Sequence, residues 1–144
     1  MLHEAADELS DPTPSALRVA YTDRLRAVIA DVGSERVAAE SGVDADRIDA
    51  LAAGDAPELT VEEAAAVLAV DAGTPDADAI VYELRDHLLM GMTTAVLDVD
   101  TIAANIEADL TAQEVQQAIE GRTEMTLDQL AAIQSVIDGP RETR

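Results

Sequence analysis

The sequence has no cysteine, lysine, tryptophan or phenylalanine. Without cysteine, the chain can form neither disulfide bonds nor thiolate sites. No apolar run approaches the roughly 20 residues that a helix needs to cross a bilayer. The first residues are acidic, whereas those of a secretory signal are basic. We therefore expect a soluble cytoplasmic protein without a membrane partner.

Aromatic residues make up only 1% of the chain, and Tyr21 and Tyr82 are the two rings. Hydrophobic residues nevertheless account for 48% of the 144 residues, which is enough for one compact domain or two very small ones packed together. The core must therefore be built from Ala, Val, Leu and Ile, and we expect it to be thin and finely packed.

The charge is strongly one-sided, with 30 acids against 9 arginines and a formal net charge of −21. In molar salt the repulsion between such charges is screened within about 3 Å. Hydrated carboxylates then keep the surface soluble. This balance predicts a halophilic protein, and an acidic mesophilic protein from a GC-rich genome is the alternative.

Apolar residues recur at helical spacing along the whole chain, and no stretch alternates as a strand does. The pattern predicts an all-α fold of about eight helices. The first is predicted over residues 14 to about 31, Ser34 is expected to cap the second, and the fifth is expected to begin at Pro75 after the cap Thr74. The short connector 71–73 is the one convincing boundary, so we expect the two halves to pack against each other.

Two stretches of the chain share one spacing of apolar residues followed by glycine. The matching residues are Val43, Ile48, Leu51 and Gly54 in the first stretch, and Leu110, Val115, Ala118 and Gly121 in the second. In both, the glycine stands where a helix must stop with positive φ. Three capping boxes are predicted at Thr60 with Glu63, Thr111 with Glu114, and Thr126 with Gln129.

These stretches predict an internal repeat and four segments of chain. Residues 1–12 form an acidic N-terminal arm, expected to be mobile or weakly docked, and residues 13–70 form the first helix-turn-helix-like unit. Residues 74–138 form the second unit, and residues 139–144 form a C-terminal tail. The two units are predicted to pack into one compact body.

The repeated spacing resembles the helix-turn-helix of the lambda-repressor and Cro-like class, in which a short helix and a turn precede a recognition helix. The whole chain is also similar to an uncharacterised haloarchaeal protein family, a domain of unknown function. The stretch that carries this second resemblance is LLMGMTTAVLDVD at residues 88–100. It implies a saline environment and supplies no activity.

DNA binding is the function that a helix-turn-helix implies. The candidate contacts lie in the second unit, where Thr111, Gln113, Gln116 and Gln117 would read base edges and Arg122 would contact phosphate. Glutamates 114, 120 and 124 stand among them, and the matching helix of the first unit, near residues 44–49, is acidic. Charge therefore disfavours DNA as a partner.

A protein-interaction role is the other interpretation, since fold alone does not decide function. Leu88, Leu89 and Met92, with Met90 beside them, would form a dimer seam or a groove for a partner. The alternative, which we favour for these residues, is that they form the interface between the two halves, because such a helix must bury its apolar face. We rank a non-enzymatic protein-interaction or regulatory role on a degenerate helix-turn-helix scaffold first, with a homodimer among its forms, and a DNA-binding regulator second.

Catalytic, cofactor and metal sites are not predicted. The many neighbouring carboxylates are expected to be solvated surface, because nothing marks a desolvated acid or base among them. His3 and His87 lack a third ligand at a useful spacing, so they make a poor metal site. His87 is expected to pair locally on its helix, beside Asp86.

Overall fold

The computed structural model describes residues 2–106 and 108–138, and all statements on structure concern these residues. Within them a 3-10 segment precedes eight α-helices, and no strand is present. The segment spans His3–Glu8, and the helices are α1 (Pro14–Val32), α2 (Ser34–Ser41), α3 (Ala45–Ala52), α4 (Val61–Leu68), α5 (Ala77–Ala95), α6 (Val99–Asn105), α7 (Ala112–Glu120) and α8 (Leu127–Asp138). The predicted all-α class is confirmed. The predicted tail, 139–144, lies outside the described residues.

The three predicted capping boxes are all present. In the first, the Glu63 N–H donates to Thr60 Oγ1 over 3.1 Å and the Thr60 N–H donates to Glu63 Oε1 over 3.0 Å. Thr111 with Glu114 and Thr126 with Gln129 form the same reciprocal pairs. Each box satisfies two backbone N–H groups that helix geometry leaves without a partner.

Two other predicted caps are wrong. Ser34 is the first residue of α2, and Gly33, at φ 102°, occupies the cap position without a side-chain hydrogen bond. Helix α5 begins at Ala77 and not at Pro75, because Asp76 Oδ1 accepts the Ala79 N–H over 2.8 Å. The Thr74 N–H instead closes a turn onto the Asp71 carbonyl, so the helix starts two residues later than predicted.

Helices α3 and α7 stop at glycine, as the spacing predicted. Gly54 has φ 99° and Gly121 has φ 79°, the left-handed region that glycine enters without a steric penalty. The next N–H in each case donates five residues back, from Asp55 to the Ala50 carbonyl and from Arg122 to the Gln117 carbonyl. Both ends are therefore Schellman motifs.

The two halves of the chain share one core. Helix α1 packs on α8 and helix α4 packs on α5, so both main contacts cross the connector. An antiparallel bridge joins Thr60 and Thr126, with hydrogen bonds from the Val61 N–H to the Met125 carbonyl (2.8 Å) and from the Leu127 N–H to the Leu59 carbonyl (2.9 Å). The bridged residues are the matching caps of the predicted repeat. The superposition of the two units stays a prediction.

The N-terminal segment is docked more firmly than its acidic sequence suggested. Leu2 and Ala5 are fully buried and belong to the main hydrophobic core, and the segment packs on α1. The rest of that core is built from Ala, Val, Leu and Ile, as the composition predicted, apart from Tyr21 and Met125. No helix of the described residues is long and apolar enough to span a membrane.

Candidate functional site

The predicted DNA-reading residues lie on or beside α7, but several are already engaged. Thr111 Oγ1 accepts the Glu114 N–H as part of its capping box. Gln116 Nε2 donates to Glu120 Oε2 over 3.2 Å, and Arg122 Nε lies 3.2 Å from Glu120 Oε1. Glu120 therefore holds two of the five candidates by its carboxylate. The other two candidates are Gln113, which is exposed, and Gln117, which is half-buried.

The described arginines are spread over several helices and are tied to groups of the same chain. Their ion pairs join Arg18 to Asp128, Arg26 to Asp23, Arg36 to Glu40, Arg47 to Glu63, Arg85 to Glu62, and Arg122 to Glu120. Arg47 approaches both carboxylate oxygens of Glu63, which lowers the pKa of that carboxyl through hydrogen bonding. DNA affinity depends on guanidinium or ammonium groups that replace counterions at phosphates. These arginines already neutralise carboxylates.

One side of α5 exposes apolar residues. Tyr82 is 73% exposed, Leu89 is 48% exposed and Val96, at the end of the helix, is 89% exposed. Tyr82 and Leu89 are seven residues apart and lie on one face of the helix, and the exposed Val96 follows at its C-terminal end; we call these three residues the α5 stripe. Met90, beside Leu89, is also largely exposed. One of the two aromatic rings in the chain therefore lies in water.

A groove adjoins the α5 stripe at Leu89. It is a cleft of about 370 Å³ between the end of α5, the start of α6 and helix α7, and we call it the α5–α7 groove. Its apolar residues are Leu89, Met92, Leu97, Val99 and Ile119, and its polar residues are Asp98, Gln116 and Glu120. The groove thus brings two predicted interface residues beside one predicted DNA-reading residue.

The third predicted interface residue, Leu88, does not lie on this surface. Its side chain is fully buried in the main core, on the same face of α5 as Ile80 and Leu84. Steps of four residues along a helix place these three side chains above one another. Leu88 therefore packs inside the molecule and offers nothing to a partner. Met92 is half-buried, packing against the core while lining the groove.

A partly buried polar cluster lies between the N-terminal segment, α1, α5 and α8. His87 Nε2 is 2.7 Å from Asp138 Oδ2, which also accepts a hydrogen bond from Gln134 Nε2 over 2.9 Å. Gln134 donates to the His3 carbonyl as well, over 2.8 Å, and accepts the hydroxyl of the fully buried Tyr21. The His3 and His87 rings stack with their centroids 4.7 Å apart.

The two stacked histidines have opposite pKa shifts. The hydrogen bond to Asp138 raises the pKa of His87, whereas burial and the nearby His87 ring lower the pKa of His3. Burial also raises the pKa of Tyr21. The cluster fastens the N-terminal segment to α8. Among the described residues no group of three or more His, Cys, Asp or Glu side chains is placed to hold a metal ion.

The sequence did not reveal this cluster, because its members come from distant parts of the chain. His87 was expected to pair beside Asp86, but it pairs with Asp138 on α8. Tyr21 and Gln134 are 113 residues apart, so no local spacing could connect them. The presence of two histidines in a chain with only two tyrosine rings was the one sequence feature that could have pointed to this cluster.

Comparison with known proteins identifies a family without assigning an activity. No curated protein and no solved structure matches the chain. One family model covers residues 17–140, from the first turn of α1 to just beyond α8. It thus covers most of α1, helices α2 to α8, the α5 stripe and the α5–α7 groove. The chain belongs to this family of unknown function, DUF5791.

Proposed function

We propose that the protein is a non-enzymatic interaction or regulatory module that binds another protein through the α5 stripe and the α5–α7 groove. The observation that carries the proposal is the exposure of Tyr82 and Leu89 on one face of α5, beside an apolar cleft. Tyrosine and large aliphatic residues supply much of the energy of protein interfaces. A chain with two aromatic rings that leaves one in water has a surface suited to a partner.

The end of α5 adds a second reason. Val96 adopts φ 56° and ψ 49°, a left-handed conformation that is a rare outlier for a β-branched residue. Backbone strain of this kind clusters at functional sites. Val96 is also the most exposed large hydrophobic residue of the described chain. Its conformation supports a role at the surface rather than in the core.

A DNA-binding regulator that uses α7 is the alternative. The exposed amides of Gln113 and Gln116 support it, because such groups read adenine in the major groove. The carboxylates of Glu114 and Glu120 weaken it, because they would lie beside DNA phosphates. Gln116 is shared between this surface and the α5–α7 groove. Gln113 belongs only to the DNA-reading surface and Leu89 only to the groove, so substitutions of these two residues distinguish the two functions.

Site-specific photo-crosslinking tests the proposal. A photoreactive residue at position 89 is expected to crosslink one protein partner in cells grown at native salt. The same residue at position 19 is the control, since Val19 is 60% exposed on α1, away from the groove. The partner is then purified, and Leu89→Ser is expected to weaken its binding about tenfold, as expected for losing one buried leucine side chain.

Two outcomes would overturn the proposal. One is equal crosslinking from positions 89 and 19. The other is specific binding of duplex DNA that Gln113→Ala or Gln116→Ala abolishes and Leu89→Ser leaves intact, which would favour the DNA-binding alternative. Binding to DNA is measured at the same KCl concentration for all variants, because salt alone changes DNA affinity by orders of magnitude.

A further inference from the structure

We infer that the segment received by the α5–α7 groove is a cationic amphipathic helix of a partner protein. This inference rests on the proposed function and names the chemistry of the partner. Three features carry it: the shape of the groove, the sign of the charge around it, and the exposed apolar stripe that continues from it along α5.

The shape of the groove suits the side chains of a helix. Its volume of about 370 Å³ falls within the range of protein binding pockets, roughly 300–1,000 Å³. Apolar side chains line it from three helices, with the flexible thioether of Met92 among them. An amphipathic helix inserts residues spaced three, four and seven apart into such a groove. The α5 stripe runs from Tyr82 to Val96, 14 residue steps or about 21 Å, so four turns of a partner helix could follow it.

The charge around the groove is negative. Asp98 and Glu120 line the groove, and two further carboxylates are exposed on its helices, Asp86 on α5 and Asp100 on α6. Hydrogen bonds from Thr101 lower the pKa of Asp98, which keeps its carboxylate charged. Two basic groups lie near this rim, and both are already paired: Arg122 with Glu120, and Arg85, whose guanidinium lies against Gly121, with Glu62. Lysine or arginine residues flanking the apolar face of a partner helix would therefore meet complementary charge.

A second copy of this chain fits the surface less well. Two copies joined along α5 would bring the Asp86 side chains of both copies into one interface. Each chain also carries a net charge of −21. Like charges facing each other across an interface cost several kcal/mol. Salt screening reduces that repulsion but supplies no attraction. The observations therefore favour a basic partner over self-association.

A synthetic helix provides the test. The probe is a peptide of about 14 residues, long enough to follow the α5 stripe, made of leucine and lysine in amphipathic order with one tryptophan. Two further peptides serve as comparisons: a scrambled isomer without an apolar face, and a version with glutamate in place of lysine. The full chain is titrated at one KCl concentration where it is folded. Tryptophan fluorescence reports binding directly, since the protein has no tryptophan.

The amphipathic cationic probe is expected to bind at least tenfold more tightly than either comparison peptide. Leu89→Ser is expected to weaken its binding about tenfold by removing an apolar contact. Asp98→Asn is expected to weaken it severalfold while keeping the helix cap, because asparagine caps as well as aspartate. Val19→Ser is the matched control, which removes an exposed valine elsewhere and should leave binding unchanged.

Other results would overturn the inference. Equal binding of the scrambled peptide would mean that charge alone attracts the probe, and equal binding of the glutamate peptide would exclude charge complementarity. A dimer in sedimentation that Leu89→Ser dissociates would make a second copy the occupant. If no probe binds while position 89 still crosslinks a protein, the helix inference fails and the proposed function stands. If crosslinking fails as well, both are wrong.

Discussion

Single side chains decide how closely the helices of this protein approach one another. Gly91 lies inside α5, and a Cβ atom there would stand 2.5 Å from Ile137 Cγ2 of α8. Two non-bonded carbon atoms do not approach that closely, so an alanine would push the two helices apart. Gly91→Ala is therefore expected to lower the free energy of unfolding by about 1–3 kcal/mol, the range for overpacked cores. Urea denaturation at constant molar KCl measures it.

Gly73→Ala is the control for this prediction. A Cβ atom at Gly73 meets nothing within 4 Å. Its substitution is expected to be neutral or to stabilise by up to about 1 kcal/mol, because alanine restricts the unfolded chain. At Gly91, inside a helix, alanine without a clash would instead be more stable than glycine by roughly 0.5–1 kcal/mol. A Gly91→Ala variant more stable than the parent protein would therefore show that α5 and α8 do not touch at this point.

The stacked histidines predict opposite pH dependences. The pKa of His87 is higher in the folded state than in the unfolded state. His87 therefore stabilises the fold at pH values below its unfolded-state pKa, and this stabilisation is lost as the pH rises through its folded-state pKa. The pKa of His3 is lower in the folded state than in the unfolded state. Its contribution to stability is therefore present at pH values above its unfolded-state pKa and is lost as the pH falls through its folded-state pKa. In the parent protein the two effects oppose each other, so each must be isolated.

Phenylalanine at either position keeps an aromatic ring and removes the titration. His3→Phe leaves His87 alone, and its unfolding free energy is expected to fall as pH rises from about 5.5 to 8, the range in which histidine titrates. His87→Phe leaves His3 alone, and the slope is expected to reverse. The double variant is the control and should be flat in this range. An unfolding free energy of His3→Phe that rises with pH would contradict the pairing of His87 with Asp138.

At the scale of helices, local signals were read correctly where neighbouring residues decide the outcome. The three capping boxes and the glycine stops of α3 and α7 depend on residues within six positions of each other. The caps at Ser34 and Thr74 were wrong because a neighbouring residue takes the cap position, Gly33 in the first case and Asp76 in the second. Sequence shows that a cap is available, but the path of the incoming chain selects which residue serves.

Because the main helix contacts join the two halves of the chain, we expect that neither half folds alone. Helix α1 needs α8 and helix α5 needs α4, and each of these partners lies across the connector 71–73. A fragment of residues 13–73 is expected to show little helix and no cooperative melting, because much of its apolar surface would remain in water. Adding the fragment 74–138 is expected to restore both. Circular dichroism during titration of one fragment with the other measures the effect.

A protease site inserted at Gly73 provides the control. Gly73 is exposed in the connector, so cleavage there should leave the two halves associated and folded. A fragment 13–73 that melts cooperatively by itself would contradict the shared core. Such a result would also favour two independent units over one body. The predicted superposition of the units is tested separately, by comparing residues 13–70 with residues 74–138 in an experimental structure.

For the whole molecule, charge sets the conditions under which the fold is stable. We propose that the protein is adapted to high salt, because 30 acids and 9 arginines leave a net charge of −21 on a small surface. Screening weakens as the Debye length grows from about 3 Å at 1 M to about 10 Å at 0.1 M. The melting temperature is therefore expected to fall by about 10 °C or more over that range, equivalent to roughly 2–5 kcal/mol.

A neutralised variant separates charge repulsion from other salt effects. Asp31, Asp49 and Asp55 are exposed, and replacing them by asparagine removes three negative charges. This variant is expected to need less KCl to reach the same melting temperature. Scanning calorimetry over a KCl series compares it with the parent protein. Stability of the parent protein that stays constant down to dilute buffer would contradict adaptation to high salt.

The sequence by itself determined the helices, most of their ends, the aliphatic core and the overall charge. These properties depend on residue type and on neighbours within a few positions along the chain. Only the tertiary structure decided which apolar residues of α5 face inward, burying Leu88 and exposing Leu89, and which distant residues meet in the His3 and His87 cluster. A helical pattern that is apolar on several sides does not say which side its neighbours cover, because that depends on packing between segments far apart in the chain.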